Sequence, residues 1–580
     1  MKTTSHSIAS LERKIRGATY TPESLSDFVA LQLISELQEN GYHKKTFRIL
    51  DPAVGDGELL VSLMKMLFHF PTLKYEIHGF DTNAEALYLA QKRIKLLAPN
   101  IKINFYHSDF LEFVSKQYMN FEQKDFFSIQ EKAEYFDLVI ANPPYVRTQV
   151  MGAETAQQLA LQFGLNGRVD LYHAFILGMA KVLRVGGIVG VIVSNRFMST
   201  RSGSKVRSEI LKDFDVKHIW DLGDTKIFEA AVLPAVLLMK RREMKWEALS
   251  EFKRMPAETK FTSIYETKEP AKLASSNPID SLDKNGIVEV GDGRRFFVQQ
   301  GKLEIDEDHN GTWRLATQKS DFWLARVKER TWGTFGDIGK IRVGVKTTAD
   351  KIFIRSDWMQ MPEKERPELL RSLTTHHIAR RFCPLKGGDV KILYPHIINE
   401  GQRVPVNLEN YPKTASYLSQ HKKKLEARNY VAEAGRKWYE IWVPHNPEAW
   451  KKIKLVFRDI SERSTFWIDD KGTVINGDCY WLSCSEDEKE ELLWLALGVG
   501  NSKFIETFYD HMFHNKLYSG RRRFITQYVE QFPLPDPEQK ISREIIAYAK
   551  KIYSDIDAII PLEAENHINA LVSRAFGVQN

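Results

Sequence analysis

The sequence predicts an α/β fold, an open sheet whose strands alternate with helices, followed by a second, α+β domain. Three observations predict it. Short apolar, β-branched runs recur between residues 48 and 241 and alternate with segments of helical periodicity. Several of these runs end in an acid or in prolines, so their carboxyl ends gather at one edge, where open α/β sheets bind ligands. At 580 residues the chain is also too long for one ordinary domain.

Composition narrows the class. The chain is 43% apolar and 27% charged, as soluble globular proteins are. No apolar run approaches the roughly 20 residues of a membrane span. The first 17 residues lack the apolar core of a secretory leader, so a cytoplasmic protein with no membrane partner is expected. A formal net charge of +7 permits a polyanionic partner without requiring one. The three cysteines, Cys383, Cys479 and Cys484, have no zinc spacing, and no metal site is expected.

Taken in order, GATYTP (17–22) leads into a helix whose Leu25, Phe28, Val29, Leu33 and Leu37 recur at helical spacing. Thr21 followed by Pro22 is a good helix entry. RILDPAVGDGELL (48–60) reads as a strand, a tight turn and a helix start, with Gly55 and Gly57 allowing close backbone approach. Asp51 and Asp56 would repel a phosphate there. They favour a cationic ligand with hydroxyls, such as the amino group and sulfonium of S-adenosyl-L-methionine. The second strand, YEIHGFD (75–81), ends at Asp81, placed to accept ribose hydroxyls. A third, INFYHSDFLEF (103–113), delivers Asp109 and Phe110, a carboxylate for an adenine amino group and a ring for the purine face. Each acid alone reads equally well as a helix N-cap. Three successive strands ending in acids favour a ligand.

The fourth strand, in FDLVIANPPYV (136–146), runs straight into Asn142-Pro143-Pro144-Tyr145. Two prolines end it, because neither donates a ladder hydrogen bond. Asn142-Pro143-Pro144-Tyr145 then presents an amide, rigid carbonyls and an aromatic ring. An exocyclic amine is a poor nucleophile because its lone pair is delocalised into its ring. The Asn142 side-chain oxygen and the Pro143 carbonyl can both accept from such an NH₂, drawing it towards sp³, while Tyr145 stacks on the base. Residues 146–169 are polar and punctuated by glycine, the pattern of a mobile loop. A helix over 170–187, ending at Gly186-Gly187, precedes a fifth strand (187–197), a sixth (216–223) and a seventh (232–241). Phe228, between the last two, reads on residues alone as a core aromatic anchoring a loop.

The succession GATYTP, DPAVGDG, Asp81, Asp109-Phe110, NPPY, DLYHAF and KIFEAAVLPAV resembles the gamma-class, TaqI-like adenine-N6 DNA methyltransferases of type II restriction–modification systems. The resemblance covers residues 17–241. It implies a seven-stranded, mostly parallel, Rossmann-like sheet with a reversed last strand, binding S-adenosyl-L-methionine through Thr21, Asp51, Ala53, Gly55, Asp81, Asp109 and Phe110. It implies that Asn142 and Pro143 hold the target amine and that Tyr145 and Phe228 sandwich a flipped adenine. Asp51 stands where some relatives carry Glu. Double-stranded DNA is the implied partner, a cognate restriction endonuclease the functional one, and a monomer on the bacterial nucleoid the implied state. A short palindrome such as ATCGAT is the implied target.

The catalytic domain is expected over 1–245 and a DNA target-recognition domain over 246–580, with a helical segment over 540–580. EFKRMPAETKFTSIY (251–265) reads as the entry to the second domain, IGKIRVGVKTTADKIFI (338–354) as an early segment, and NGDCYWLSC (476–484) with 495–537 as its closing pattern. Among several basic clusters, Arg521, Arg522 and Arg523 are the best candidates for DNA contact.

Rival readings are weaker. Methylating a pyrimidine ring carbon needs a cysteine nucleophile, and none precedes residue 383. Cytosine-N4 transfer uses the same amine chemistry, although relatives acting there more often replace the asparagine with serine. Protein-glutamine and RNA N-methyltransferases share an NPPY-like turn but lack a C-terminal part of this length. A fused nuclease would need about 150 residues ahead of the cofactor motif. An idle binding protein would not keep every acid together with NPPY.

Overall fold

The computed structural model describes residues 20–39, 46–70, 73–119, 136–146, 153–165, 170–228, 232–242, 258–306, 311–385, 390–484, 486, 489–513, 517, 520–555 and 560–578. Residues 17–19 of GATYTP, parts of the expected loop over 146–169 (147–152 and 166–169), and 251–257 of the expected domain entry lie outside them, and within that loop Ala153–Gln162 is a helix. The chain forms two compact units. One comprises residues 1–317 and 513–520, the other 318–512 and 521–580.

The first unit is built on the expected strands. They are β1 (Thr46–Asp51), β2 (Lys74–Asp81), β3 (Lys102–His107), β4 (Phe136–Ala141), β5 (Leu183–Ser194), β6 (Phe214–Asp221) and β7 (Pro234–Arg241), in the order β3-β2-β1-β4-β5-β7-β6. β1 to β5 pair in parallel, whereas β7 runs antiparallel to both β5 and β6. Chain order reverses between β1 and β4, and the carboxyl ends of the strands part there to leave a crevice. β4 is buried at every position. Successive side chains point to opposite faces: Leu138 and Ile140 join the apolar cluster that holds Leu25, Val29 and Leu33 of the helix Glu23–Glu39. Val139 and Ala141 join the one that holds Ile176 and Met179 of the helix Leu171–Val182.

Two expectations are corrected. The helix stops at Val182, and Gly186-Gly187 lie within β5 rather than at a helix end. The β4–β5 register jumps from Phe136–Leu183 to Leu138–Ile188, so residues 184–187 form a bulge. Within it Arg184 reaches the buried Asp137, which also accepts from the Arg48 amide at 2.9 Å. The sheet also continues beyond the seven strands. β8 (Lys260–Glu266) pairs in parallel with β6, and β9 (Leu273–Ser275), β10 (Gly286–Val290), β11 (Arg295–Asp306) and β12 (Thr312–Ala316) extend it to 12 strands. The boundary expected at 245/246 therefore marks a connection within one sheet, and the first unit's main segment runs to Thr317. A charged linker had the composition of a domain junction, but the apolar run after it hydrogen-bonds to β6.

The second unit is α+β. One four-stranded sheet joins Arg342–Val343, Cys479–Leu482, Lys454–Arg458 and Phe466–Asp469 in that order. The segments singled out near 342 and 480 are thus neighbours, with Arg342 opposite Trp481 and Val343 opposite Tyr480. A second four-stranded sheet and a core containing Trp358, Trp450, Trp467 and Trp481 complete it. The expected C-terminal helical segment is two helices, Lys540–Asp555 and Leu562–Phe576.

Removing the cation from the β4–β5 bulge deprives a carboxylate at 1% exposure of its ion pair with Arg184. Arg184→Leu is expected to cost about 2 kcal/mol, below the value for a fully buried pair because Arg184 is partly solvated. Asp137→Asn placed on top of it should recover part of the loss. Thermal unfolding of the two variants checks both statements.

Candidate active site

A cavity of about 290 Å³ opens at the β1/β4 reversal, lined by residues that follow four successive sheet positions. Pro52, Ala53 and Gly55 come from the β1 turn, and Asp81, Thr82, Asn83 and Ala86 from the end of β2. Ser108, Asp109 and Phe110 follow β3, and Asn142, Pro143, Pro144 and Tyr145 follow β4. The sequence did not single out Tyr20, Asn83, Ser108, Leu171 or Phe175, which also line it. Tyr20 and Phe175 lie inside motifs that it did quote, GATYTP and DLYHAF.

Asp81 ties the turns together. One of its oxygens accepts the Gly55 amide at 2.8 Å and the other the Asn83 amide at 2.8 Å. Asn83, not an acid, caps the following helix, accepting from the Glu85 and Ala86 amides. Asp109 does cap its own helix, with Oδ1 accepting from the Leu111 amide at 2.7 Å, and it is exposed at the cavity rim. Each carboxylate oxygen accepts more than one hydrogen bond, so local capping leaves both acids able to take ligand hydroxyl or amino donors. Phe110 is almost fully buried, 5.6 Å from the Phe175 ring, and shows the cavity only part of its ring.

Asp51 lies behind this lining, fully buried, with Oδ1 accepting the Ala53 amide at 3.0 Å and Oδ2 accepting no hydrogen bond. Burial, with repulsion from Asp81 and Asp56, pushes its carboxyl up to about 8 against the pull of the Ala53 amide. An orphaned acid oxygen beneath a turn that lines a cavity suits a cationic ligand. The acids on either side suit one that also carries hydroxyls and an amino group.

At the β4 end, Asn142 Nδ2 donates to Thr21 Oγ1 at 3.0 Å. Thr21 thereby meets the amide of the turn, and it is not part of the cavity wall. Burial pushes the Tyr145 phenol well above its ordinary range, so the residue stays protonated and offers an aromatic surface. The Phe228 ring lies 6.3 Å from that of Tyr145 and is inclined to it by 59°. Two parallel rings that hold a third need roughly 7 Å between them, twice a van der Waals contact. Phe228 is a neighbour of Tyr145 and also a member of the core cluster, as its residue type alone suggested.

Among the described residues the cavity lining includes no cysteine, histidine or lysine. Among the described residues no group of histidine, cysteine and acids is placed to hold a metal, and no helix is long and apolar enough to cross a membrane. In the second unit, Arg522 makes a bidentate pair with Asp510, both contacts at 2.7 Å, and Arg523 pairs with Asp459 at 3.1 Å. Both guanidinium groups are paired with carboxylates. Arg521 is the exposed member of the three.

Residues 75–228 match the family described as Eco57I restriction-modification methylase, and residues 390–534 match the TaqI-like C-terminal specificity domain. With a cavity of this chemistry at the sheet reversal, the chain is a methyltransferase that uses S-adenosyl-L-methionine. Over 580 residues it is 38% identical to the type II methyltransferase M.BanIII of Aneurinibacillus aneurinilyticus, covering 98% of each chain. It is 24% identical to the type II methyltransferase M.BstVI of Geobacillus stearothermophilus, over 90% of this chain and 91% of that one. The fold also resembles that of a DrdV–DNA complex, with a TM-score of 0.52 and 13% identity, covering 95% of this chain and 58% of that one. The chain belongs to the TaqI-like type II restriction–modification DNA methyltransferases.

The Asp51 carboxyl carries a stability signature. An unfolded aspartate deprotonates near pH 4, whereas the folded one holds its proton to about 8. Folding therefore retains a proton across that window, and stability contributed by the site falls as pH rises from 4 towards 8, then levels. Without cofactor, the wild-type melting temperature should decline relative to Asp51→Asn between pH 5 and 8. Parallel melting curves would disprove the shift.

Proposed function

We propose that the chain transfers the methyl group of S-adenosyl-L-methionine to N6 of an adenine flipped out of a short duplex DNA target. The observation that carries this reading is the Thr21-held amide of Asn142, in the turn that lines the cofactor cavity. With Nδ2 bonded to Thr21, Oδ1 is the end of the amide suited to accept from the target NH₂, alongside the Pro143 carbonyl. Asp81, Asp109, Phe110, Ala53 and Gly55 would hold the adenosine part of the cofactor, with Asp51 behind them. The bound cofactor supplies a methyl group made electrophilic by its sulfonium.

An N6 engaged in a base pair cannot reach such a cavity, so the base leaves the stack. Tyr145 takes the face of the base, and Phe228 is its opposite wall once the two rings open slightly. Asn142 and Pro143 polarise the amine and disperse positive charge as the N–C bond forms. The amine proton becomes acidic only after transfer. A basic group in the lining is therefore unnecessary, and the buried His173, held down to about 4, remains neutral.

Adenine rather than cytosine rests on asparagine at position 142. The second unit reads the target, with Arg521 contacting the backbone. A short palindrome such as ATCGAT can be methylated by a monomer one strand at a time, and the product protects DNA from a cognate endonuclease.

Nucleoside analysis of DNA methylated with labelled cofactor should place the label in N6-methyladenine, and label in N4-methylcytosine would assign the enzyme to the other base. Asn142→Ala should bind cofactor normally and lose turnover by about 10²-fold or more. Thr21→Val, which removes only the partner of the amide, should lower kcat roughly tenfold, the effect of one buried hydrogen bond. Near-full turnover of Asn142→Ala would end the role given to that residue.

A further inference from the structure

The segment Leu222–Phe228 follows β6, and its start is tied to one buried carboxylate. Asp221, the last residue of β6, is fully buried. It accepts from the Tyr265 hydroxyl at 2.6 Å, from Asn195 Nδ2 at 2.9 Å and from the Gly223 amide at 3.1 Å. Gly223 begins the segment. Just before β7 the Asn195 amide donates to the Leu233 carbonyl at 2.9 Å, and the Leu222 amide closes onto the Pro234 carbonyl at 2.9 Å. Burial pushes the Asp221 carboxyl up to about 6, while the three donors pull the other way.

Further ties come from the strands beyond the seven. Tyr265 lies on β8. Asp224, also fully buried, accepts the Glu266 amide at 2.7 Å. Arg294, in the β10–β11 turn, donates to the Thr225 carbonyl at 2.9 Å. Gly223 sits at φ +46°, and a Cβ there would come within 2.2 Å of the Ile264 carbonyl oxygen, so the segment lies hard against β8. Lys226, two residues before Phe228, has φ +56°, a conformation that non-glycine residues hold only where their surroundings enforce it.

We propose that Asp221, with Tyr265 and Asn195, is a positioning group for the target base. It holds the segment so that Phe228 faces Tyr145, and the appended strands supply that hold. None of the three residues lines the cofactor cavity. The proposal rests on Phe228 being a wall of the base pocket.

The test uses the full-length protein and a duplex of its target with 2-aminopurine in place of the methylated adenine. Fluorescence reports unstacking of that base, and S-adenosylhomocysteine binding is measured beside it. Tyr265→Phe should weaken base capture and raise the DNA KM roughly five- to tenfold, the effect of one buried hydrogen bond. Cofactor affinity should stay within about twofold. Phe228→Ala should do more, and the double variant should match Phe228→Ala alone, because a clamp has nothing left to position. Arg294→Gln, at a half-exposed site on the same segment, takes the same test should Tyr265→Phe fail to fold. Equal losses of cofactor and base binding, or multiplying effects in the double variant, would reduce the network to ordinary packing. Unchanged base capture in Phe228→Ala would instead overturn the base-wall reading, and with it the proposal.

Discussion

The place where β4 stops governs the first unit. A buried parallel strand must pair along its whole length, and Pro143 and Pro144 cannot donate to a neighbour. The chain leaves the sheet beside the point where strand order reverses, and there the turns after β1, β2 and β3 also open. Asp81, Asp109 and the Asn142–Tyr145 turn come from stretches far apart in sequence, yet they line one cavity because parallel strands end at one edge. Asp81 makes that edge rigid by holding amides from two turns at once.

What could be read in advance follows from how local each cause is. The seven strands were legible because each is a short apolar run bounded by turn residues. The grouping of Asp81, Asp109 and Asn142 followed from strand ends alone. The helix end near residue 183 was misplaced because Gly-Gly signals a stop, whereas here it serves a bulge whose cause is the pairing of Arg184 with Asp137 across the sheet. Five further strands were missed for a similar reason. A charged stretch looked like a domain junction, and only the pairing of His218–Asp221 with Lys260–Ser263 shows that the sheet continues. Arg522 and Arg523 looked like a basic patch because their partners, Asp510 and Asp459, lie 12 and 64 residues away.

The two buried acids near the site differ in what surrounds them. Asp221 has three donors and stays closer to the ordinary carboxylate range than Asp51, which has one backbone donor and an orphaned oxygen. A satisfied buried carboxylate fixes structure, whereas an unsatisfied one carries a cost that a cation relieves. This contrast distinguishes the two acids without any reference to motif. Both residues are strand-terminal aspartates, so sequence position does not distinguish them.

The chemistry of the cavity is also narrower than the task. Asn142, Pro143 and Tyr145 present an amide, a carbonyl and a ring, which carry nothing that distinguishes one DNA sequence from another. Discrimination has to come from a surface that samples several base pairs, and the cavity, at about 290 Å³, has no room for one. The second unit supplies a separate core and several small sheets, in which short strands leave long connecting segments. Such segments change without disturbing the tryptophan-rich core, whereas the strand ends of the first unit cannot move without dismantling the cavity. An enzyme of this design acquires a new target by altering its second unit and keeps its reaction by leaving β4 and its turn alone.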